Sequence, residues 1–427
     1  MEIMKSGIDI EMREKLSKMA EEMEFEFERH VIPFWKIMRD KDCGGYYGKL
    51  EQDLKLDRSA EKGCVLNSRI LWAFSNLYLF SKKQEYRIYA KGAYDFLMDH
   101  FVDKVWGGLF WSVSHDGDPE DTTKHIFNMA FAIYALASYY DATGDREALV
   151  TAYTLFETIE KSCRDEGGYL EAFSRHFDNA ANEKLSENGV MATRTMNTLL
   201  HLMEAYTELY RVDDIDIYNK RKYVREKLLP ILEIFKDKIY NPEKKRLEVF
   251  FDADYNSLAD ITSYGHDIEA AWLFDRTVKI LDVKRTDYDL SSISRELTEN
   301  IFENVFKGHG LPAESVGEDV NTTRIWWVQC EGIIGFLNGF SKSGELKYLD
   351  AVVSLWDYIK NTMVDKRPGS EWYAEINEDD IPVLNKPIVD EWKCPYHNVR
   401  MYIETIKRLG SYDDKEITEV LVMDDGE

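Results

Sequence analysis

The sequence predicts an all-α fold, an (α/α)6 barrel of six inner and six outer helices with short β-hairpin-like loops at one end. Two observations support this prediction. A glycine-aromatic turn returns along the chain at intervals of 60 to 78 residues, and each interval has room for two helices. Six helix pairs can close into a ring, whereas an open solenoid would leave two ends that need polar caps.

The repeated turn places a glycine shortly before an aromatic or aliphatic residue. Five copies keep the glycine, and the fourth, over 245–250, has lost it. The copies begin at Gly44, Gly107, Gly167, Lys245, Gly308 and Gly369. This spacing indicates one repeated architecture, so we expect a single catalytic domain over 1–410 and an acidic tail over 411–427.

Inner and outer helices differ in how their apolar residues are distributed. In the segment 86–102, Ala90 and Tyr94 belong to one apolar stripe and Lys91 lies opposite it, which is typical of a half-exposed outer helix. The segment 123–143 is apolar on most sides, as expected for an inner helix. The twelve predicted helices lie near 10–38, 61–81, 86–102, 123–143, 146–164, 186–211, 217–238, 264–282, 291–306, 323–342, 346–364 and 394–410.

Composition excludes several classes of function. A net charge of -25 argues against binding to nucleic acid or to an anionic membrane. No apolar stretch approaches 18 residues and no signal-like segment follows Met1, so we expect a cytoplasmic protein, either a monomer or a weak homodimer. Five cysteines without a C-x-x-C pair argue against a disulfide framework and a cysteine zinc site. The aromatic content of 13% fits a protein that stacks on sugars.

Unusual polar or aromatic residues occur near the start of each predicted inner helix, where an apolar residue is expected. They are Arg69, Asn128, Asn197 with His201, His266 with Glu269, Trp327 with Glu331, and His397 with Arg400. Equivalent ends of the inner helices meet at one mouth of the barrel. Because a buried charge is costly unless it is paired, this ring predicts a functional site rather than scaffold.

These residue types favour proton transfer near neutral pH, where imidazole titrates. Inversion of a carbon next to an aldehyde requires removal of a proton from one face of an enediolate and its return to the other. Two histidines on opposing helices can do this, and Arg69 and Asn197 can stabilise the enediolate oxygens. A glutamate beside a histidine would fix its tautomer.

Four segments in the same order resemble motifs of the cellobiose 2-epimerases, which belong to the N-acylglucosamine 2-epimerase superfamily. The segments are Glu61–Trp72, Ser263–Ala270, Ile325–Gln329 and Trp392–Asn398. The resemblance runs from about residue 20 to 410, and the fold of that family agrees with the predicted ring.

The resemblance implies reversible epimerisation at C2 of the reducing-end glucose or mannose of β-1,4-linked disaccharides (cellobiose, lactose, mannobiose), with no cofactor and no metal, through ring opening and a cis-enediolate. By motif match, His266 and His397 are the acid/base pair at C2. His201 is expected to assist ring opening and to bind the C1 and C2 oxygens with Arg69 and Asn197. The residues expected to contact the sugar or orient these groups are Glu269, Trp326, Trp327, Glu331, Trp392, Trp372 and Phe127.

Four positions depart from the family pattern. Leu199 stands where the family usually carries an additional histidine, and Phe127 and Met129 stand where tyrosine and glutamine are common. Val399 replaces a usual glycine. These changes bear on substrate preference and rate rather than on the type of reaction.

Several alternatives stay open on the sequence alone. Within the superfamily these are a monosaccharide or N-acylglucosamine epimerase and an aldose-ketose isomerase that reprotonates C1; Trp372 and the run 391–395 favour a disaccharide. An (α/α)6 glycoside hydrolase would use Glu269 and Glu331 as its two carboxylates. His266 and Glu269 would suit a metal, and a non-catalytic sugar-binding protein would keep the tryptophans.

Overall fold

A computed structural model describes residues 8–185 and 189–410 and confirms the predicted barrel, with twelve helices in that part of the chain. The outer helices are α1 (Ile10–Glu26, continued by a π-helical turn Phe27–Val31 and by Ile32–Ile37), α3 (Gln84–Phe96 and the π-helical turn Leu97–Phe101), α5 (Arg146–Ser162), α7 (Arg221–Ile234 and Phe235–Ile239), α9 (Ser291–Asn300 and Ile301–Val305) and α11 (Lys347–Tyr358 and Ile359–Met363). The inner helices are α2 (Cys64–Ser81), α4 (Ile126–Thr143), α6 (Met196–Val212), α8 (Tyr264–Leu281), α10 (Trp326–Ser343) and α12 (Tyr396–Leu409).

The inner helices form a closed ring, because each packs against the next in chain order and α12 packs against α2. The sequence explains the two layers. Helix α4 is apolar on all sides and buries nearly every residue from Ile126 to Tyr139. Helix α3 buries Ala90 and Tyr94 on one face and exposes Lys91 on the other. An inner helix must be apolar all round because it packs on its neighbours in the ring and on an outer helix.

The repeated glycine turns require the left-handed backbone conformation. Gly45 has φ +62°, and a Cβ atom there would lie 2.7 Å from the ring of Phe96. In the fourth copy Lys245 takes the left-handed conformation with φ +50°, so the turn survives without glycine at the cost of local strain.

Short antiparallel strands join neighbouring repeats at one end of the barrel. The segment just before an inner helix pairs with the segment after the next outer helix, as in the pairs β3–β4, β6–β7, β9–β12, β13–β14 and β16–β17. The strands are β1 (Lys49–Leu50), β2 (Leu56–Asp57), β3 (Lys62–Gly63), β4 (Ser112–Val113), β5 (Pro119–Asp121), β6 (Lys124–His125), β7 (Ala172–Phe173), β8 (Asn179–Ala180), β9 (Arg194–Thr195), β10 (Tyr240–Asn241), β11 (Arg246–Leu247), β12 (Phe250–Phe251), β13 (Ile261–Ser263), β14 (Glu314–Val316), β15 (Asp319–Asn321), β16 (Arg324–Ile325) and β17 (Glu375–Ile376).

Buried ion pairs tie three of these strands to the repeated turns. A basic residue two positions before an inner helix pairs with an aspartate of the preceding turn, and both side chains of the first two pairs are almost fully buried. The pairs are Lys62–Asp40 (2.8 Å), Lys124–Asp103 (3.0 Å) and Arg194–Asp165 (2.6 Å). Removing one partner of such a pair costs about 3–5 kcal/mol, because the other charge stays buried. These three pairs therefore help to fix the position along the barrel axis at which α2, α4 and α6 begin.

The start of α6 differs from the prediction. The sequence pattern placed it near 186, but the helix begins at Met196, because Arg194 and Thr195 pair with β12 and the Thr195 hydroxyl accepts a hydrogen bond from the Thr198 amide (3.1 Å) as an N-cap. Helices α2, α4 and α10 begin three residues later than predicted for a similar reason, since a short strand precedes each. The predicted tail, 411–427, lies outside the described residues.

No helix in the described part of the chain combines the length and the apolar character needed to cross a membrane.

Candidate active site

The sequence-predicted residues meet at the N-terminal ends of the inner helices because they occupy equivalent positions in the repeat. The second residue is Asn197 in α6, Trp327 in α10 and His397 in α12. The sixth residue of five inner helices also faces this end; from α2 to α10 these are Arg69, Phe131, His201, Glu269 and Glu331. One helical turn separates the two positions, so they lie on the same face of a helix. In α6 and α10, for example, one group lies near the mouth of the barrel and the other lies one turn further inside.

His397 is held by Glu331. The Nδ1 atom of His397 lies 2.8 Å from Oε1 of Glu331, and both side chains are buried. The Trp272 indole N–H donates to the other oxygen of Glu331 at 2.9 Å, and a guanidinium N–H of Arg400 donates to Oε1 at 2.6 Å. Burial raises the pKa of Glu331, but indole and guanidinium can only donate, so the contacts with Trp272 and Arg400 at its two oxygens favour the ionised carboxylate. His397 therefore carries its proton on Nδ1, and its Nε2 lone pair is available as a base.

His201 has a similar partner in Glu204, one turn further along α6. Nδ1 of His201 lies 3.1 Å from Oε2 of Glu204, and the Tyr396 hydroxyl lies 2.7 Å from each oxygen of that carboxylate. Burial opposes ionisation of Glu204, but the charge of Arg400 and these hydrogen bonds outweigh it and lower the pKa of Glu204 to about 2. His201 is therefore also held with its proton on Nδ1.

His266 has a different environment. Its Nδ1 lies 2.7 Å from the Ser263 hydroxyl, and its ring packs on the indole of Trp327 with centroids 4.8 Å apart. The ring of His397 lies against the same indole, with centroids 5.5 Å apart. Both His266 and Trp327 are only half-buried, so this part of the site opens to solvent. Trp327 thus stands beside both histidines that were predicted to act at C2.

An aromatic wall forms the opposite side of the mouth. Trp392, which is half-buried, lies 5.8 Å from Phe127 and 5.8 Å from Trp111 between ring centroids. The guanidinium of Arg69 lies over Phe131 (4.1 Å to the centroid) and donates to the backbone oxygen of Trp392 at 3.3 Å. Among the described residues no carboxylate forms an ion pair with Arg69, so its charge is buried beside the site without a counterion.

The site keeps its histidines neutral. Although the His266 side chain is half-buried as a whole, the protein packed around its imidazole desolvates it and lowers its pKa to about 3. Burial together with Arg400 lowers the pKa of His397 well below its usual range. Burial and the neighbouring charge of Glu331 raise the pKa of Glu269 to about 8, although Arg400 opposes this. Glu269 Oε2 is buried without a hydrogen-bond partner. Burial also lowers the pKa of His201, so three neutral imidazoles, two carboxylates and one protonated carboxyl are available at neutral pH.

Glu269, Glu331 and His397 also offer three potential metal ligands, with one atom of each within 4.8 Å of the others. However, both oxygens of Glu331 and one of Glu269 already accept hydrogen bonds from donor groups, and the Arg400 cation lies against both carboxylates. A divalent ion would have to displace that guanidinium. The donor set is therefore organised around Arg400 and does not fit a vacant metal site.

Trp372 does not join the other predicted residues. It is fully buried, its indole N–H donates to Glu26 of α1 at 3.2 Å, and its ring packs edge-on against Tyr402. It therefore fills the layer between inner and outer helices, and its faces are not open to a sugar. Trp326 lies closer to the site, 6.5 Å from His397 between ring centroids, but is itself buried.

Sequence reasoning missed four residues that shape the site. Glu204 lies three residues after His201, a spacing that places both on one helix face, so it could have been found by the rule that paired His266 with Glu269. Tyr396 belongs to a recognised motif, but nothing in its local sequence shows that it reaches Glu204 on α6. Phe131 and Trp272 look like ordinary core residues of apolar helices.

Comparison with known proteins identifies the family of the chain. Residues 45–400 match the family model of N-acylglucosamine 2-epimerase (GlcNAc 2-epimerase). The chain is 48% identical to the cellobiose 2-epimerase of Eubacterium cellulosolvens over 88% of this chain and 95% of that protein, and 45% identical to the cellobiose 2-epimerase of Ruminococcus albus over 91% and 99%. The crystal structure of a sugar epimerase from a ruminal bacterium superposes with a TM-score of 0.87 at 45% identity, over 91% of this chain and 99% of that one. The chain belongs to the N-acylglucosamine 2-epimerase family and is a carbohydrate epimerase.

Proposed function

We propose that the chain interconverts glucose and mannose at the reducing end of β-1,4-linked disaccharides such as cellobiose by epimerisation at C2. The observation that supports this most directly is that His266 and His397, from two different inner helices, both lie against the Trp327 indole, each with Nδ1 held by a partner. In this proposal a sugar bound between the two imidazoles has one Nε2 near each face of C2. The relatives' names point to the same substrate class.

The reaction begins with opening of the pyranose ring. In this proposal His201, held by Glu204, removes the proton of the anomeric hydroxyl as the C1–O5 bond breaks and delivers it to O5, which leaves an aldehyde at C1 and a hydroxyl at C5. One neutral imidazole then removes the C2 proton, and the electrons of the C–H bond move into a cis-enediolate. The second histidine would take up a proton from solvent at the open side of the site and, as imidazolium, deliver it to the opposite face of C2, which inverts C2; the first histidine then returns its proton to solvent. Each histidine serves as base in one direction and as acid in the other.

The enediolate carries negative charge on O1 and O2, and Arg69 is the buried cation without a counterion that would stabilise it. The Asn197 side chain is half-buried near the start of α6. We assign its amide NH2 group to donate hydrogen bonds to the same oxygens. Oxyanion stabilisation of this kind contributes about 10²–10³-fold in rate per donor.

The second sugar ring would lie on the aromatic wall. Trp392 is half-buried and stands next to Phe127 and Trp111, so it offers an apolar face of the kind that stacks on sugar C–H surfaces. Phe127 presents no hydroxyl, so recognition on this side depends on stacking more than on hydrogen bonds. This assignment takes over the role that the sequence had given to Trp372.

The test is proton NMR of cellobiose incubated with the protein in deuterated water. We expect a mannose-type reducing end with deuterium at C2. A ketose as the main product would instead identify an aldose-ketose isomerase, and free glucose would identify a hydrolase; either result would overturn the proposal.

Single histidine variants sharpen this test. His266→Gln and His397→Gln are each expected to lower epimerisation about 10²–10⁴-fold. Each variant should still exchange the C2 proton of one epimer, because the remaining histidine faces only one side of C2. The surface variant His176→Gln is the control. Loss of exchange from both epimers in both variants would contradict the two-base mechanism.

A further inference from the structure

Arg400 lies among the buried carboxyl groups of Glu204, Glu269 and Glu331, and the proposed function assigns it no contact with the sugar. Its side chain is 2% exposed, and its guanidinium donates to Glu204 at 2.6 Å, to Glu331 at 2.6 Å and to Glu269. These carboxyl groups come from three different inner helices, α6, α10 and α8. Arg400 therefore joins four helices of the ring through one side chain.

Two of these three carboxylates hold a histidine by Nδ1. Glu204 holds His201, and Glu331 holds His397. We propose that Arg400 is a positioning residue that keeps both histidine–glutamate pairs in the same reactive form, with the glutamate ionised and the histidine proton on Nδ1. This inference rests on the proposed function for its effect on rate, but its structural content can be tested without a substrate.

The charge balance explains why a cation is needed there. Glu204 and Glu331 both act as ionised acceptors, and without Arg400 they would be two buried carboxylates with no full counterion. Burial already raises the pKa of Glu331 against the charge of Arg400, and loss of that charge would raise the pKa of both Glu331 and Glu204 further. A protonated Glu331 could donate to Nδ1 of His397, which would move the imidazole proton to Nε2 and remove the base.

The geometry also explains why arginine is used and not lysine. The Nη1 atom donates to Glu204, and the Nη2 atom donates to Glu331 and Glu269. The planar guanidinium therefore reaches carboxyl groups on three different helices. The guanidinium is also sandwiched by aromatic rings, 4.3 Å from the centroid of Tyr396 and 4.8 Å from that of Trp272. A lysine ammonium is a point charge and cannot hold both pairs at once.

The experiment compares Arg400→Lys and Arg400→Ala with the unaltered protein. The matched control is Arg276→Lys, because Arg276 pairs with the buried Glu208 near the C-terminal ends of α6 and α8. We expect Arg400→Lys to lower kcat for cellobiose about 10–100-fold with little change in KM, and to shift the acid limb of the pH profile upward. Guanidinium at low millimolar concentration should restore part of the activity of Arg400→Ala, and ammonium should not.

Nitrogen-15 NMR of the histidine rings supplies a readout that needs no substrate, and its first part needs only the unaltered protein. In the unaltered protein between pH 6 and 8, the rings of His201 and His397 should both show the Nδ1–H tautomer, and in Arg400→Lys at least one should change. An Nε2–H tautomer in the unaltered protein would overturn the proposal. Unchanged kcat, pH profile and tautomers in Arg400→Lys would overturn it too. Failure of the unaltered protein to epimerise cellobiose would count against the proposed function alone.

Discussion

Replacement of Glu331 by glutamine tests whether the carboxylate, and not merely a polar group of that shape, holds His397. Glu331 accepts from three donors, two at Oε1 and one at Oε2. Glutamine offers one oxygen and one NH2 group. If the glutamine NH2 group takes the position of Oε2, it faces the N–H of Trp272. If it takes the position of Oε1, it faces Arg400, and Nδ1 of His397 must become the acceptor.

Both orientations place a donor against a donor, and the energetic cost follows from that. A buried donor left without an acceptor costs about 1–3 kcal/mol, so Glu331→Gln should lower the free energy of unfolding by about that amount. The larger effect is on catalysis. In the orientation that satisfies Trp272, the imidazole proton moves to Nε2 and the base is lost, so we expect kcat to fall about 10²–10⁴-fold while KM changes little.

The assay measures kcat, KM and C2 deuterium exchange with cellobiose, together with urea unfolding. The matched control is Glu160→Gln in outer helix α5, because the Glu160 carboxylate accepts from the hydroxyls of Tyr169 (2.7 Å) and Tyr206 (2.9 Å) and lies away from the histidines. Glu160→Gln should lose stability but keep its kcat. A kcat within threefold of the unaltered value in folded Glu331→Gln would refute the assigned role of the carboxylate.

Three further predictions follow from other parts of the molecule. Trp392→Ala should raise KM for cellobiose roughly tenfold through lost stacking, whereas Trp372→Phe should lower the melting temperature and leave KM unchanged. The reverse pattern in steady-state kinetics would show that Trp372, and not Trp392, contacts the second sugar ring. Lys62→Met should cost about 3–5 kcal/mol in urea unfolding, because Asp40 stays buried and charged, and the double variant with Asp40→Leu should be more stable than the single one. Burial opposes protonation of His30, but Glu26 outweighs it and raises the pKa of His30, so its stabilisation is complete below about pH 6.5 and declines as the pH rises through the raised pKa; unfolding measured against pH should lose this decline in His30→Gln.

Most of the fold could be predicted because each repeat carries its own local signals. The glycine turn, the one-sided apolar pattern of an outer helix and the all-round apolar pattern of an inner helix each follow from packing that involves neighbouring residues. The start of α6 was predicted too early because the interval that contains it is the longest, and its described residues between β8 and β9 contain no helix. The apolar pattern of a helix does not show at which residue a preceding short strand ends and the helix begins.

The misplacement of Trp372 could have been avoided from the repeat itself. The residue that bridges back to the end of the outer helix is Tyr46 in the first copy, Leu109 in the second and Tyr169 in the third, and all three are buried. Trp372 bridges Val364 in the same way. Its equivalents are core residues, so its place in the repeat predicts core more strongly than its aromatic character predicts sugar stacking. Contacts between distant helices, such as Tyr396 with Glu204, carry no such repeated signal.

The repeat also explains why chemistry of this kind is located at this end of the barrel. All six inner helices direct their N-termini toward the site, and each N-terminus carries a partial positive charge that favours an anion. Together with Arg69, which has no counterion among the described residues, this field would stabilise the proposed enediolate. An excess of positive charge would also make the resting histidines poor bases, and the ionised Glu204 and Glu331 counter it deeper in the ring. The site therefore combines a positive mouth for the enediolate with a negative layer behind two of its three histidines.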